Sequence, residues 1–306
     1  MSDLMQLSLE PKSLTANSYL DELLASGTRA VAGSDNTIWI SYESFALARY
    51  PTYCLAEIEE YEIKRVFRQG KKPILSFSIE PDNRYPANSI LYLVQRNSYN
   101  LEYLSKNARR DIRIAQRSLK YDFVPQELFI NKGYPAFRDT RTRVGLNDGT
   151  EENFLHRCKL MERKGNYIAG AWKDDQLVAY TTLILIDDAV EIEGSFSMDQ
   201  FLNLCPNDGL MHFVLDYFFT IQRYNLVSYG LSSIQLGHEN AGLDKYKKKV
   251  GFHALPIHRR FEFHPLFQPF ISPYTLVILK LALVLSPKSR ILCKAAGVLS
   301  ASIQGH

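Results

Sequence analysis

The sequence has only four cysteines, and Cys54, Cys158, Cys205 and Cys293 are scattered without a Cys-x-x-Cys pair. Such spacing argues against a disulfide framework and a cysteine zinc site, and a reducing, cytoplasmic setting is expected. No stretch approaches the roughly 20 apolar residues needed to cross a bilayer. The opening MSDLMQLSLEPKSL has no charged segment followed by an apolar one, so no signal peptide is expected. Excess charge is missing too: 36 Lys and Arg stand against 33 Asp and Glu, for a net +3. Binding to DNA through an overall field is therefore not expected, and any basic footprint must be local. There are no repeats, no low-complexity segment, no P-loop, no Gly-x-Ser-x-Gly elbow and no His-Glu-x-x-His. His253, His258 and His264 lie on strand-like ground without ligand spacing, so no metal is expected.

What the chain does have is core material, with 46% hydrophobic and 12% aromatic residues in 306. Runs such as NTIWISY, PILSFSIE and SILYLVQR read as strands punctuated by Gly, Pro and Asn. From Tyr99 the period changes. Leu101, Leu104, Ala108, Ile112 and Ala115 recur at helical spacing, and Lys106, Arg110, Arg113 and Arg117 form a basic stripe on another face. In TEENFLHRCKLMERKG, Thr150 is the expected N-cap and Gly165 the expected C-terminal cap. NYIAGAWKDDQLVAYTTLILIDDAVEIEGSFSM predicts three antiparallel strands turning at the Asp-Asp pairs. A helix, a strand LVSYGLSS, a second helix and a final strand follow. The fold class predicted is a mixed α/β (α+β) sheet flanked by helices. The stretch 265–306 is different in kind. It has two Ser-Pro helix openings, the basic residues Lys280, Lys288, Arg290 and Lys294, and no acidic side chain.

Three places could carry chemistry. At CPNDGLMHFVL the chain enters a helix whose first amides lack internal partners. Asn207, Asp208, Gly209, Leu210 and Met211 are the candidate anion-binding segment, with Gly209 allowing close backbone approach; an ordinary Asn/Asp-capped helix start is the reading these residues alone favour. On the third hairpin strand, period-two alternation places Glu191 and Glu193 on one face, and Glu193 is the candidate base. In GLDKYKKKVGF, Leu243, Tyr246 and Val250 make the core-facing stripe with Lys247 at its border. Lys245, Lys248 and Lys249 point away, towards solvent. Lys247 reads either as an ammonium that stabilises charge on an acyl oxygen or as a lysine stem lying along a helix edge. His238 and Glu239, just upstream, are a further candidate pair.

The order of hairpins, anion-ready helix, strand, helix and Gly-Phe strand resembles the GNAT acyltransferase fold. Counting seven from Asn240 reaches Lys247, where that family often has a tyrosine acid, and four more reaches Gly251. Tyr246 is one residue off that register. An aromatic followed by Lys and then Gly is similar to the Fem-like branch of peptidyltransferases and acyltransferases. The segment from Arg109 to Ala115 resembles that branch's Arg-x-x-Ile-Arg-x-Ala helix. The likeness spans most of 90–263 and, more loosely, 37–90. The anion loop departs from it, retaining only Gly209.

The resemblance implies a degenerate N-terminal GNAT-like half over 1–98 and connecting helices over 99–164. A C-terminal GNAT-like core over 165–264 and a basic apolar tail over 265–306 would follow. It implies direct acyl transfer from acyl-CoA, as co-substrate, to a small-molecule or lipid-linked amine. Lys247, Glu193 and Tyr246 would be catalytic, Asn207–Met211 and Asn240 would hold the donor, and Arg110, Arg113, Arg117 and His238 would hold the acceptor. An aminoacyl-tRNA-dependent peptidyltransferase and a non-catalytic binding module are the other readings. For the tail, peripheral membrane contact through 271–300 and packing on the core as a cap are both open.

Overall fold

The computed structural model describes residues 10–42, 45–95, 99–233, 241–286 and 289–304. In chain order the elements are α1 (Ala16–Ala25), β1 (Ala30–Ala32), β2 (Ile38–Tyr42), β3 (Ala46–Tyr50), α2 (Glu60–Gly70), β4 (Ile74–Ile79) and β5 (Ser89–Gln95). Then come α3 (Lys106–Ser118), β6 (Lys120–Phe123), α4 (Gln126–Lys132), α5 (Tyr134–Arg143) and α6 (Glu151–Met161). The hairpin strands β7 (Asn166–Lys173), β8 (Gln176–Ile186) and β9 (Ala189–Ser197) lead to α7 (Pro206–Asp216) and β10 (Leu226–Leu231). Last are α8 (Ala241–Lys249), β11 (His253–Phe263), α9 (Pro273–Leu285) and α10 (Arg290–Gln304).

The chain forms two compact units. One contains Val94–Tyr229, Lys247–Phe252 and the described residues up to Thr15; the other contains Ala16–Leu93, Gly230–Tyr246 and the chain from His253. In the second unit, β2 pairs antiparallel with β1 and β3, and β3 runs parallel to β4. There β11 bridges β4 and β5, antiparallel to both. So β11, which the sequence reading groups with 165–264, is built into the strands of the N-terminal half. Its core is Trp39, Leu47, Val66, Leu75 and Phe77 under α2. The buried Glu62 there accepts from Trp39 Nε1 at 3.0 Å and from the Ser34 backbone at 3.1 Å, which satisfies it as a structural group.

The first unit carries the hairpins that the Asp-Asp pairs predict. Asp174 and Asp187 both adopt left-handed backbone, φ 52° and 51°, as tight two-residue turns require. Strand order is β6-β7-β8-β9, all antiparallel, with β10 parallel to β9. Past Gln176, β8 is buried throughout, so helices must cover both faces. Phe129, Phe137 and Phe154 of α4–α6 pack on Tyr180 and Phe196, while α7 lies on β7–β9 and is backed by α3. Thr150 caps α6 as expected, accepting from the Asn153 amide at 3.3 Å. That helix ends at Met161, and Gly165, at φ 83°, instead turns the chain into β7.

Ala108, Ile112 and Ala115 are the buried stripe of α3, and the small size of its two alanines lets α7 approach closely. Gly209 sits at that contact. A Cβ there would collide with Tyr121 Oη and lie 2.7 Å from Ala115 Cβ. Gly209→Ala is expected to cost about 1–3 kcal/mol. Adding Tyr121→Phe, which removes the nearest atom, should recover part of it; urea unfolding of the two variants measures both effects. An unchanged midpoint in Gly209→Ala would refute this packing.

Candidate active site

Parallel pairing of β9 with β10 runs from Ala189↔Leu226 to Glu191↔Ser228. Just beyond, β9 changes its register with β8: Leu183 faces Ile192 and Thr182 faces Gly194, leaving Glu193 as an inserted residue. Such a bulge bends and twists the strand that carries it. It also separates the two glutamates that simple alternation puts together, for Glu191 is buried and Glu193 exposed.

Tyr229 follows Ser228 on β10, and its hydroxyl donates to Ser195 Oγ at 2.9 Å. Ser195 Oγ lies 3.1 Å from Thr181 Oγ1, whose own proton goes to the Gly194 carbonyl at 2.9 Å. With that proton committed, Ser195 must be the donor to Thr181, giving a directed hydroxyl chain from Tyr229 to the bulge. Burial raises the Tyr229 pKa above the ordinary phenol value, against a smaller lowering by Ser195. Its ring meets Phe252 edge-on at 5.3 Å, and the Lys247 ammonium lies 5.0 Å from its centroid. Lys247 is only 3% exposed. On the other face of β9, Arg157 of α6 donates to Thr182 Oγ1 at 2.8 Å and lies 4.8 Å over the Phe196 ring.

The start of α7 is built differently from the expected anion cradle. The helix begins at Pro206, which has no amide hydrogen, and the Asp208 and Gly209 amides bond the Cys205 carbonyl at 3.1 and 3.3 Å. Leu210 and Met211 are core residues, and Gly209 is covered by Tyr121 and Ala115. The Asn207 side chain donates to Ser197 Oγ at 3.1 Å. Asp208 places a carboxylate in the first turn, where it pairs with Lys249, and Lys249 also meets Asp111 Oδ2 at 2.9 Å. Burial pushes the Asp208 carboxyl up despite Lys249. Burial opposes charge on Asp111 as well, but Lys249 and Arg110 outweigh it and hold that carboxyl low. For Lys249, burial is outweighed by the two carboxylates, so its pKa is raised.

This corrects two expectations for α8. Lys249 is an ion-paired group holding α3 and α7, not a solvated one, and Leu243, expected on the core stripe, is 42% exposed. Tyr246 is half-buried. Arg110, Arg113 and Arg117 all lie on the exposed face of α3, with Arg110 paired to its neighbour Asp111 at 3.0 Å. Asn240, His238 and Glu239 lie outside the described residues. Sequence reading missed Tyr229, Ser195, Thr181, Arg157 and Asp111. The one available signal was hydroxyls in apolar strands, Thr181 and Thr182 within QLVAYTTLILI and Ser195 within GSFS.

No protein-family model and no curated protein sequence matches the chain. Solved structures do. The crystal structure of FemX covers 84% of this chain and 93% of its own, at 11% identity and a TM-score of 0.56. The C-terminal domain of a protein named as a lysylphosphatidylglycerol synthetase, from Agrobacterium fabrum, covers 79% and 86% respectively, at 12% identity and a TM-score of 0.52. The chain thus has the mixed α/β fold of FemX, as the Fem-like resemblance leads one to expect, with a C-terminal helical tail.

Proposed function

We propose that this chain is an acyltransferase that moves an acyl group from an activated ester directly to an amine. The observation that carries the reading is Lys247, a buried ammonium set over the Tyr229 ring where β10 leaves the bulged β9. When an amine attacks the acyl carbon, an N–C bond forms and negative charge builds on the carbonyl oxygen. A fixed, desolvated cation stabilises that oxygen more than it stabilises the neutral carbonyl. The attacking amine must lose a proton, and Glu193, exposed on the bulge, is the base we assign to it. Collapse then breaks the bond to the leaving oxygen, which takes up a proton. Tyr246, next to Lys247 on α8, is assigned a supporting role.

The resemblance implies two donors, acyl-CoA and aminoacyl-tRNA, and two observations favour the second. The Asp208 carboxylate occupies the start of α7, where a pyrophosphate would have to sit. The basic stripe of α3 faces outwards, as contact with an RNA backbone requires. The acceptor is an amine, on a small molecule or a lipid-linked one.

The test mixes the protein with tRNA charged with labelled amino acids and with labelled acetyl-CoA, in the presence of candidate amines. Label from aminoacyl-tRNA should pass into a ribonuclease-resistant amide, and CoA thioesters should shift the melting temperature by less than about 1 °C. Replacing Arg110, Arg113 and Arg117 together with Ala should weaken tRNA binding about tenfold or more and flatten its salt dependence. Transfer from acetyl-CoA alone would reverse the donor assignment and keep the acyltransferase. No transfer from either, with tRNA binding untouched by the three substitutions, would leave a binding module.

A further inference from the structure

We propose that α9 is a docking helix that lies in the surface of an anionic lipid bilayer. The inference rests on the second unit alone and does not depend on acyl transfer. The Ser272 hydroxyl caps α9 at the Thr275 amide, 3.2 Å away, with Pro273 opening the helix as its sequence predicts. The helix packs on one side against α10. In turn, α10 points Cys293, Ala296 and Leu299 inward and lies against β11, so it is the seated member of the pair. It starts at Arg290, and the hydroxyl 3.5 Å from the Leu292 amide is that of Ser289, not of the Ser286 expected from the second Ser-Pro.

The outer face of α9 is apolar. Tyr274, Val277, Ile278, Leu281, Val284 and Leu285 recur at helical spacing, and each is more than half exposed. A surface helix ordinarily turns its polar side outwards, and here the outer side is as apolar as the inner one. Contiguous exposed apolar faces of this kind mark an interaction site. Leu266 and Phe270, just before the helix in sequence, are also largely exposed. Across the membrane is not an available placement. The 13 residues of α9 reach roughly 20 Å, well short of a hydrocarbon core, and no helix among the described residues is long and apolar enough to span one.

Charge identifies the occupant. From Phe263 to the last residue there is no Asp or Glu, while Lys280, Lys288, Arg290 and Lys294 are distributed through the segment. A face for a protein partner is ordinarily ringed by a polar rim, and most protein surfaces intersperse charges of both signs. An apolar stripe in a segment whose charged side chains are all cations fits lipid tails beneath an anionic headgroup layer. Lys280 has the placement this demands. It is exposed and sits about 40° around the helix from Val284 and about 60° from Val277, on the flank of the apolar face. Its stem can lie along the stripe while its ammonium reaches a phosphate.

The experiment is co-sedimentation of the full chain with vesicles of phosphatidylcholine alone and with one-third phosphatidylglycerol. The full chain should sediment with the anionic vesicles and bind the neutral ones roughly tenfold less. Ile278→Glu/Leu281→Glu changes only exposed side chains, so its melting temperature should be retained while its vesicle binding falls roughly a hundredfold. Lys280→Glu should weaken binding to the anionic vesicles and leave neutral ones unchanged. Failure to sediment with either vesicle overturns the proposal, as does equal binding by the double variant. A dimer by light scattering that the double variant dissociates, without vesicle binding, would assign the face to a second copy instead.

Discussion

Lys247→Met is expected to lower kcat/KM for acyl transfer by about 10²–10³, with little change in KM for the amine. Methionine keeps the length and the apolar stem, so the change isolates the charge. At 3% exposure the ammonium is largely withdrawn from water, and its field at a nearby oxygen is correspondingly strong. A group that works only on developing charge alters kcat and kcat/KM together, whereas one that merely grips substrate alters KM. Lys247→Arg separates the two remaining roles. A guanidinium can also lie over the Tyr229 ring and stays charged, so an electrostatic role leaves partial activity. A proton-donating role does not, because arginine holds its proton at every working pH, and Arg would then be as poor as Met. Single-turnover rates for the three proteins distinguish these cases. Wild-type rates in Lys247→Met would remove Lys247 from the chemistry.

How that lysine could be singled out shows what a sequence can carry. Local signals held well: Asp174 and Asp187 turn the hairpins, Thr150 caps α6, and Ser272 with Pro273 opens α9. Each depends on neighbours a few residues away. The counting from Asn240 and Gly251 likewise separates Lys247 from three lysines beside it, and it is the buried one. What failed was non-local. Nothing in HALPIHRRFEF says that it will pair with β4 and β5, strands more than 150 residues earlier. A period of two puts Glu191 and Glu193 on one face, and only the inserted residue in the β8–β9 ladder parts them. Gly209 reads as a phosphate-loop glycine until Tyr121 and Ala115 are seen to cover it. Lys249 reads as solvated because its two carboxylates lie 138 and 41 positions away in the sequence.

That last cluster yields the second large effect. Lys249→Met is expected to destabilise the protein by about 2–3 kcal/mol at neutral pH, leaving Asp111 and Asp208 together without their shared cation. Both carboxylates are mostly buried, at 13% and 11% side-chain exposure, so water cannot replace the ammonium. In the native protein the signs are mixed. Lys249, with its raised pKa, contributes stability that is complete below the ordinary lysine value and is lost as pH rises through the raised one. Asp111, with its lowered pKa, contributes stability that is present above the ordinary carboxyl value and is lost as pH falls. Asp208 opposes Asp111. Burial raises its pKa, so the folded state takes up that proton more readily than the unfolded chain, and acid favours folding through this group. Without Lys249, Asp208 loses its cation and Asp111 keeps only Arg110, and repulsion raises the pKa of the pair further. Acidification then protonates one of them and relieves the strain. The stability gap between wild type and Lys249→Met should therefore be widest near pH 7.5 and should narrow towards about pH 4.5. Asp208→Asn, added to Lys249→Met, should recover most of the loss at pH 7.5, since one charge then remains where there were two. Urea unfolding of the three proteins at the two pH values measures this. A gap that stays constant with pH, or a double variant no better than the single, would mean that Lys249 acts through packing of its stem and not through its charge.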